Sequence, residues 1–213
     1  MATIGLSKPY YALYNASGST VTYSEGGLIG KATEMTLELE GAEANILYAD
    51  NGPAESDNQF AGGTLTLSTD DLLPTPMLAI LGLQQEAIES VDGVTTEGAA
   101  WIKYNDAQEI PYVGFGGIIK AKQNGAIKWI AVVLPKIQFS NPGISAVTQG
   151  ETIEWQTKEL TATVMRNDTA THDWEWMSTP LDSEAEAEAA IKDFLSIAGA
   201  EVGKAKIDES RVS

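Results

Sequence analysis

The stretch Ile110–Phe139, IPYVGFGGIIKAKQNGAIKWIAVVLPKIQF, constrains the fold more than any other part of the chain. It reads as two long strands joined at Asn124-Gly125. That pair is favoured in two-residue hairpin loops because both positions need positive φ. The first arm carries Tyr112, Val113, Phe115, Ile118 and Ile119. The second, Ile127 to Leu134, is apolar except at Lys128, as expected of a strand covered on both faces. Gly114, Gly116 and Gly117 leave gaps on the first arm and predict a bulge or the close approach of another element.

The same stretch is anomalous in charge. From Ile110 to Gly150 there is no Asp or Glu, and Lys120, Lys122, Lys128 and Lys136 give it a local charge of +4. The whole chain of 213 residues carries 13 bases and 30 acids, a net −17. Residues 1–109 hold 16 of the acids and 3 of the bases, so the acid is concentrated in the first half. That sign opposes binding to nucleic acid by phosphate neutralisation. The simpler reading of the acidity is solubility. The length fits one domain, and 43% apolar residues can supply a core. Cysteine is absent, which excludes disulfides, thiolate metal sites and a cysteine nucleophile. The start, MATIGLSKPYY, shows no signal-peptide pattern, and no apolar run reaches membrane-spanning length.

Along the chain, Asn15–Gly18 predicts a turn between two short strands, and Gly26-Gly27 a break. Thr33–Glu40 alternates cleanly, with Met35, Leu37 and Leu39 on one face and Glu34, Thr36, Glu38 and Glu40 on the other. Residues 44–48 are candidates to extend it. Residues 49–63, ADNGPAESDNQFAGG, read as a long exposed loop. Thr64–Ser68 alternates again with Leu65 and Leu67 inward. Pro76–Leu81, with Gly82 behind it, predicts a short helix. Residues 84–109 suggest a second hairpin, with Asp92-Gly93 as one candidate turn. Thr152–Val164 reads as a strand with a bulge near Lys158, and Asp173–Met177 as a short aromatic strand. Ser183 and Glu186 fit a capping box opening a helix with an apolar stripe of Ala190, Ile191, Phe194, Leu195 and Ala198, ended by Gly199. The predicted organisation is one domain over 1–199 and a polar tail over 200–213.

Motifs for catalysis or metal binding do not emerge. The single histidine, His172, lies in a polar turn with no nucleophile or carboxylate placed by the local sequence to work with it. Asp50, Asp57, Asp70 and Asp71 lack calcium-loop spacing. Among 30 acids a glycosidase pair cannot be singled out. Trp155, Trp174 and Trp176 suit sugar stacking, although tryptophans at alternate strand positions are more often core. A carbohydrate-binding module on Trp174 and Trp176 and a small hydrolase using scattered acids are therefore the rival readings.

Six stretches in order resemble the major tail protein of bacteriophages with long non-contractile tails. They are Ile4-Gly-Leu-Ser-Lys-Pro-Tyr-Tyr11, Leu47-Tyr-Ala-Asp50, Leu65-Thr-Leu-Ser-Thr-Asp-Asp-Leu72, Pro111-Tyr-Val-Gly-Phe-Gly116, Lys136-Ile-Gln-Phe139 and Thr148-Gln-Gly-Glu-Thr-Ile-Glu-Trp-Gln-Thr157. The set spans nearly the whole chain. The resemblance implies a mainly β fold, a β-sandwich with a flanking C-terminal α-helix and a short central helix. It implies a virion structural protein of the tail, assembled in the host cytoplasm, with no enzymatic activity and no cofactor. Its implied partners are copies of itself in stacked hexameric rings, a tape-measure protein, tail-tip and tail-terminator proteins, and double-stranded DNA only in passage.

Several residues acquire candidate roles on that basis. Rings that stack head to tail need heterologous contacts, and a conduit for DNA should repel phosphate. Glu34, Glu38 and Glu40 are candidates for a lumen-facing acidic strand, the alternative being plain outer surface. Asp50, Asn51, Glu55 and Asp57 are candidates for a subunit-contact loop. Lys120, Lys122 and Lys128 are candidates for a contact hairpin meeting that loop on a neighbour, the alternative being that they balance acids within their own subunit.

Overall fold

A computed structural model describes residues 2–41, 45–49, 52–57, 60–71, 74–88, 99–144, 148 and 157–197. In chain order these form β1 (Ala2–Ser17), β2 (Thr20–Leu28), β3 (Ala32–Gly41), β4 (Asn45–Ala49), β5 (Gly52–Asp57), β6 (Phe60–Thr69), α1 (Pro74–Leu81), β7 (Gln84–Ala87), β8 (Ala100–Lys103), β9 (Val113–Gln123), β10 (Ala126–Phe139), β11 (Lys158–Met165), β12 (Trp176–Met177) and α2 (Glu184–Phe194). The chain is mainly β with two helices.

The central hairpin forms as the sequence predicts. Gln123 pairs with Ala126, and Asn124 and Gly125 sit at φ 51° and 84°. Around it one antiparallel sheet runs in the order β2-β1-β9-β10-β11-β6-β3, with β12 added beside β10. β4 with β5, and β7 with β8, make two separate ribbons. The facing layers expected of a sandwich are here two parts of one curled sheet. A Cβ added at Gly117 on β9 would lie 3.5 Å from the Met35 sulfur on β3, so the two strands face each other across the interior.

The interior gathers the alternate apolar residues of every long strand. Leu65 and Leu67 from β6, Leu160, Ala162 and Val164 from β11, Val113 and Phe115 from β9, and Leu134, Ile137 and Phe139 from β10 are buried together, with Ile80 and Leu81 of α1 closing one end. Leu65 stands opposite both Leu37 and Ala162, and Leu67 opposite Met35 and Leu160, so the period-two pattern sets the register across three strands. α2 covers the other face of β1, β9 and β10 through Ala187, Ile191 and Leu195. The glycines of β9 make room for it. A Cβ at Gly116 would stand 2.4 Å from Ile191 Cγ2, and one at Gly114 2.7 Å from Leu195 Cδ2. The close approach that the glycines predict is this helix.

Some expectations are corrected. The first strand is 16 residues long, not short, because β1 pairs with β2 on one side and β9 on the other. Gly26-Gly27 lies inside β2, where Gly27 pairs with Tyr11, rather than breaking the chain. Residues 49–63 are not one loop. Gly52–Asp57 pairs with Asn45–Ala49 as a hairpin, and Phe60–Gly63 belongs to β6, because partner strands override poor intrinsic β-propensity. The capping box on Ser183 and Glu186 forms, but the stripe facing the sheet is Ala187, Ile191 and Leu195, and Ala190 is exposed. The helix ends at Phe194, with Leu195 as its cap. The aromatic strand shortens to Trp176–Met177, and residues 84–87 pair with 100–103. Trp155, the Asp92-Gly93 turn, Gly199 and the tail 200–213 lie outside the described residues.

Candidate assembly surfaces

Away from α2, no helix or strand among the described residues covers the outer face of β3, β6 and β11, and the 140–144 segment borders it only at Glu159 and Thr161. Cross-strand rows on it run Glu34–Ser68–Glu159, Thr36–Thr66–Thr161 and Glu38–Thr64–Thr163, with Glu40 opposite Gly62. The sequence dictates this directly: Thr-Leu-Thr-Leu-Ser in β6 and Leu-Thr-Ala-Thr-Val in β11 send hydroxyls out wherever apolar residues go in. Glu34, Glu38, Glu40 and Glu159 are exposed, and no outward side chain of these three strands is basic. The three predicted strand acids therefore share one wet face, and Glu159 joins them. Sequence alone does not reveal that fourth acid, because strand order is needed to bring β11 beside β6. β3 is one edge of the sheet and β2 the other.

The predicted contact lysines divide. Lys128 pairs with Asp182 of its own chain, which favours the intramolecular alternative for that residue. Lys120 lies over the Trp129 ring at 5.9 Å and forms no ion pair among the described residues. Lys122 is exposed beside Ile127 and likewise forms none. Of the predicted contact loop, Glu55 and Asp57 belong to β5, and Asp50 and Asn51 lie outside the described residues. The ribbon of β4 and β5 joins the sheet at Gly41 and Phe60, toward the same end as the β9–β10 turn.

Two polar clusters fix the scaffold, and each joins residues far apart in sequence. In the first, Glu188 of α2 accepts from Tyr10 Oη at 2.7 Å, pairs with Lys192 at 2.6 Å and also binds Lys8, while Ser7 donates to Glu184 at 2.7 Å. Hydrogen bonds from Lys192, Lys8 and Tyr10 hold the Glu188 carboxyl down to about 2. In the second, Lys136 bonds Asp168 at 2.7 Å and lies 4.7 Å from the Tyr112 ring centre and 5.2 Å from that of Tyr14. Tyr14 donates to Asp168 at 2.8 Å, and burial pushes its phenol up to about 12. Lys136, with help from Tyr14, holds the Asp168 carboxyl low. Only the Glu188–Lys192 pair, four residues apart on a helix, is legible locally.

The remaining candidates are accounted for by local structure. His172, at φ 53°, sets its Nδ1 3.2 Å from the Asn167 carbonyl and its backbone N–H on Thr169, closing the turn before β12. Trp174 and Trp176 are not core. Trp174 stacks on Phe60 at 4.6 Å and Trp176 leans on Phe194 at 5.5 Å, with 36% and 51% of their surface exposed. Among the described residues no group of three metal-ligating side chains converges, and no helix is long and apolar enough to cross a membrane. The chain matches no protein-family model and no curated protein.

Proposed function

We propose that this chain is the repeating subunit of the tail tube of a long-tailed, non-contractile bacteriophage. Copies form hexameric rings that stack around a tape-measure protein and later conduct double-stranded DNA. It works in the virion tail and is assembled in the host cytoplasm. The ordered sequence resemblance raises the reading, and one structural observation carries it: the outer face of β3, β6 and β11, with hydroxyls between exposed carboxylates and no outward base among the described residues. A wall of that kind repels phosphate, and its short side chains give a passing duplex nothing to grip. In this reading Glu34, Glu38 and Glu40 face the lumen, and sheet edges β2 and β3 meet neighbouring copies, which removes their open hydrogen-bonding groups.

Negative-stain electron microscopy of concentrated protein, alone and with tape-measure and tail-tip partners, tests this. Rings or tubes are expected. A strictly monomeric protein under all of these conditions rejects it. The exposed indole of Trp176 supports the rival reading, a carbohydrate-binding module. Specific retention on a glycan column, lost in Trp176→Ala, would favour that module instead.

A further inference from the structure

The two ends of the β9–β10 hairpin differ in charge, and each leaves large apolar side chains in water. Of the described cations, Lys8, Lys31, Lys103, Lys128, Lys136 and Lys192 are all held in ion pairs within the chain. Lys120 and Lys122 are not, nor are Lys158 and Arg166, the latter bonded to the Phe60 carbonyl and set over the Phe60 ring. Lys120 and Lys122 stand on one side of β9 near the turn at Asn124-Gly125, with Ile127 opposite Lys122, and Gly5 of β1 opposite Lys120. Ile127 is 44% exposed there, and Ile4 52%. A turn bearing two unpaired cations beside two exposed isoleucines is an unusual feature in a chain of net −17.

The opposite end, where β9 begins and β10 finishes, is built from the segment between β8 and β9. That segment is held firmly. Gln108 Nε2 donates to the Leu81 carbonyl at 2.7 Å and to Asn141 at 2.9 Å, and Gln138 donates to the Ile110 carbonyl at 2.8 Å. On this rigid base Asp106 and Glu109 are exposed with no ion pair among the described residues, and Tyr104 is 49% exposed. Ile144, beside a cleft of about 310 Å³ whose rim includes Lys158 and Glu159, is 95% exposed. The nearby cations Lys31 and Lys103 are engaged by Asp70 and Glu86. Lys158 is the exception, and it sits next to Glu159.

We infer that the lysine turn of one copy docks on the Asp106–Glu109 end of a second copy, Lys120 and Lys122 meeting the two carboxylates while Ile4 and Ile127 cover Tyr104 and Ile144. The inference rests on the tail-tube reading and names the surfaces through which its rings stack. Two copies of an acidic chain repel unless the contact itself joins opposite charges. These two ends do so, and they lie at opposite ends of an 11-residue strand, roughly 35 Å apart. The contact is therefore heterologous and repeats without closing on itself. Its apolar parts shield the ion pairs from water and strengthen them.

Charge reversal with complementation tests it. Lys120→Glu with Lys122→Glu should weaken self-association measured by sedimentation by on the order of tenfold, since exposed pairs are worth up to about a factor of five each and reversal puts like charges together. Asp106→Lys with Glu109→Lys should do the same. Each variant keeps one native end, so an equimolar mixture of the two should recover assembly, alternating along the stack. The milder Lys120→Ala with Lys122→Ala should weaken it less. A mixture that assembles no better than either variant alone, while the parent forms tubes, overturns the docking and leaves the tail-tube reading standing. A parent that never assembles with its partners overturns both.

Discussion

The outer surface of this sheet is used in two opposite ways. Over β1, β9 and β10 it mixes small residues, Ala12, Gly114, Gly116 and Ala131, with Tyr10, Ile118 and Val133, and is covered by a helix. Over β3, β6 and β11 it carries threonine and glutamate, and no helix or strand among the described residues covers it. The inner faces of the two regions are alike, each sending branched and aromatic side chains into one interior. Period-two alternation thus fixes the inside everywhere, whereas the outward residues decide what each part of the sheet meets. At Gly116 that partner is Ile191, 2.4 Å from where a Cβ would be. At Glu38 it is water.

The largest effect should come from filling the covered face. Gly116→Val places a branched side chain where Ile191 already stands. Ile191, itself β-branched and on a helix, has essentially one side-chain rotamer and cannot swing away. Overpacking of this kind should cost about 3 kcal/mol, read as a lower urea midpoint with an unchanged slope. Ile191→Ala alone should cost about 2 to 4 kcal/mol by leaving a cavity, but in the Gly116→Val background it should restore part of the loss. If Gly116→Val is as stable as the parent, the helix does not seat on that strand and the contrast between the two faces collapses.

A smaller effect should come from the polar contacts that pin the helix. The Glu188 carboxyl lies near 2 in the folded chain, below its ordinary 4.5. Its folded value is depressed, so its stabilisation is fully present above about pH 4.5 and is lost as the pH falls from there toward 2. Glu188→Gln should destabilise the neutral protein by about 1 to 2 kcal/mol. It should also flatten the stability profile between pH 4.5 and 2, a change that a loss of packing alone would not produce. An unchanged acid profile would place the origin of acid sensitivity elsewhere, with Asp168 the next candidate.

The two faces were unequally legible in the sequence. The alternation of Thr33–Glu40 and Thr64–Ser68 declares its wet and dry sides residue by residue, because each side's environment is written into a local pattern. The Asn124-Gly125 turn and the Ser183–Glu186 cap are local in the same way. The glycines of β9 signal that something comes close, but not what, since Gly116 and Ile191 meet only after the sheet has formed. The helix stripe is legible at Ile191, Phe194 and Leu195 but not at Ala187, because Ala187 and Ala190 are equivalent until the sheet chooses a face. Tyr10 and Glu188 lie 178 positions apart, and Tyr14 and Asp168 lie 154. No local rule finds such pairs. The ribbon over 45–57 was hidden by its composition, because Gly52-Pro53 and the acids after it carry turn chemistry that pairing with β4 overrides.

The smallest effect on stability should come from the acidic face, and there the comparison is sharpest. Replacing Glu34, Glu38 and Glu40 together with glutamine removes three exposed charges that make no ion pair among the described residues. Carboxylates two positions apart on a strand lie about 7 Å from each other, where two like charges in water repel by about 0.6 kcal/mol. Salt screens most of that. The triple glutamine variant should therefore match the parent within about 0.5 kcal/mol at physiological salt and gain slightly at low salt. What changes is the sign of the wall. The parent should show no measurable affinity for duplex DNA at physiological salt. Glu34→Lys, Glu38→Lys and Glu40→Lys combined should bind duplex at low salt, with a logarithmic salt slope no steeper than about −2.7, because each of three lysines can displace at most one phosphate counterion. Both outcomes follow if this face carries charge and no packing. A triple glutamine variant that loses several kcal/mol would mean that the acids hold the fold, and a parent that binds duplex with a steep salt dependence would remove the physical basis for an acidic conduit.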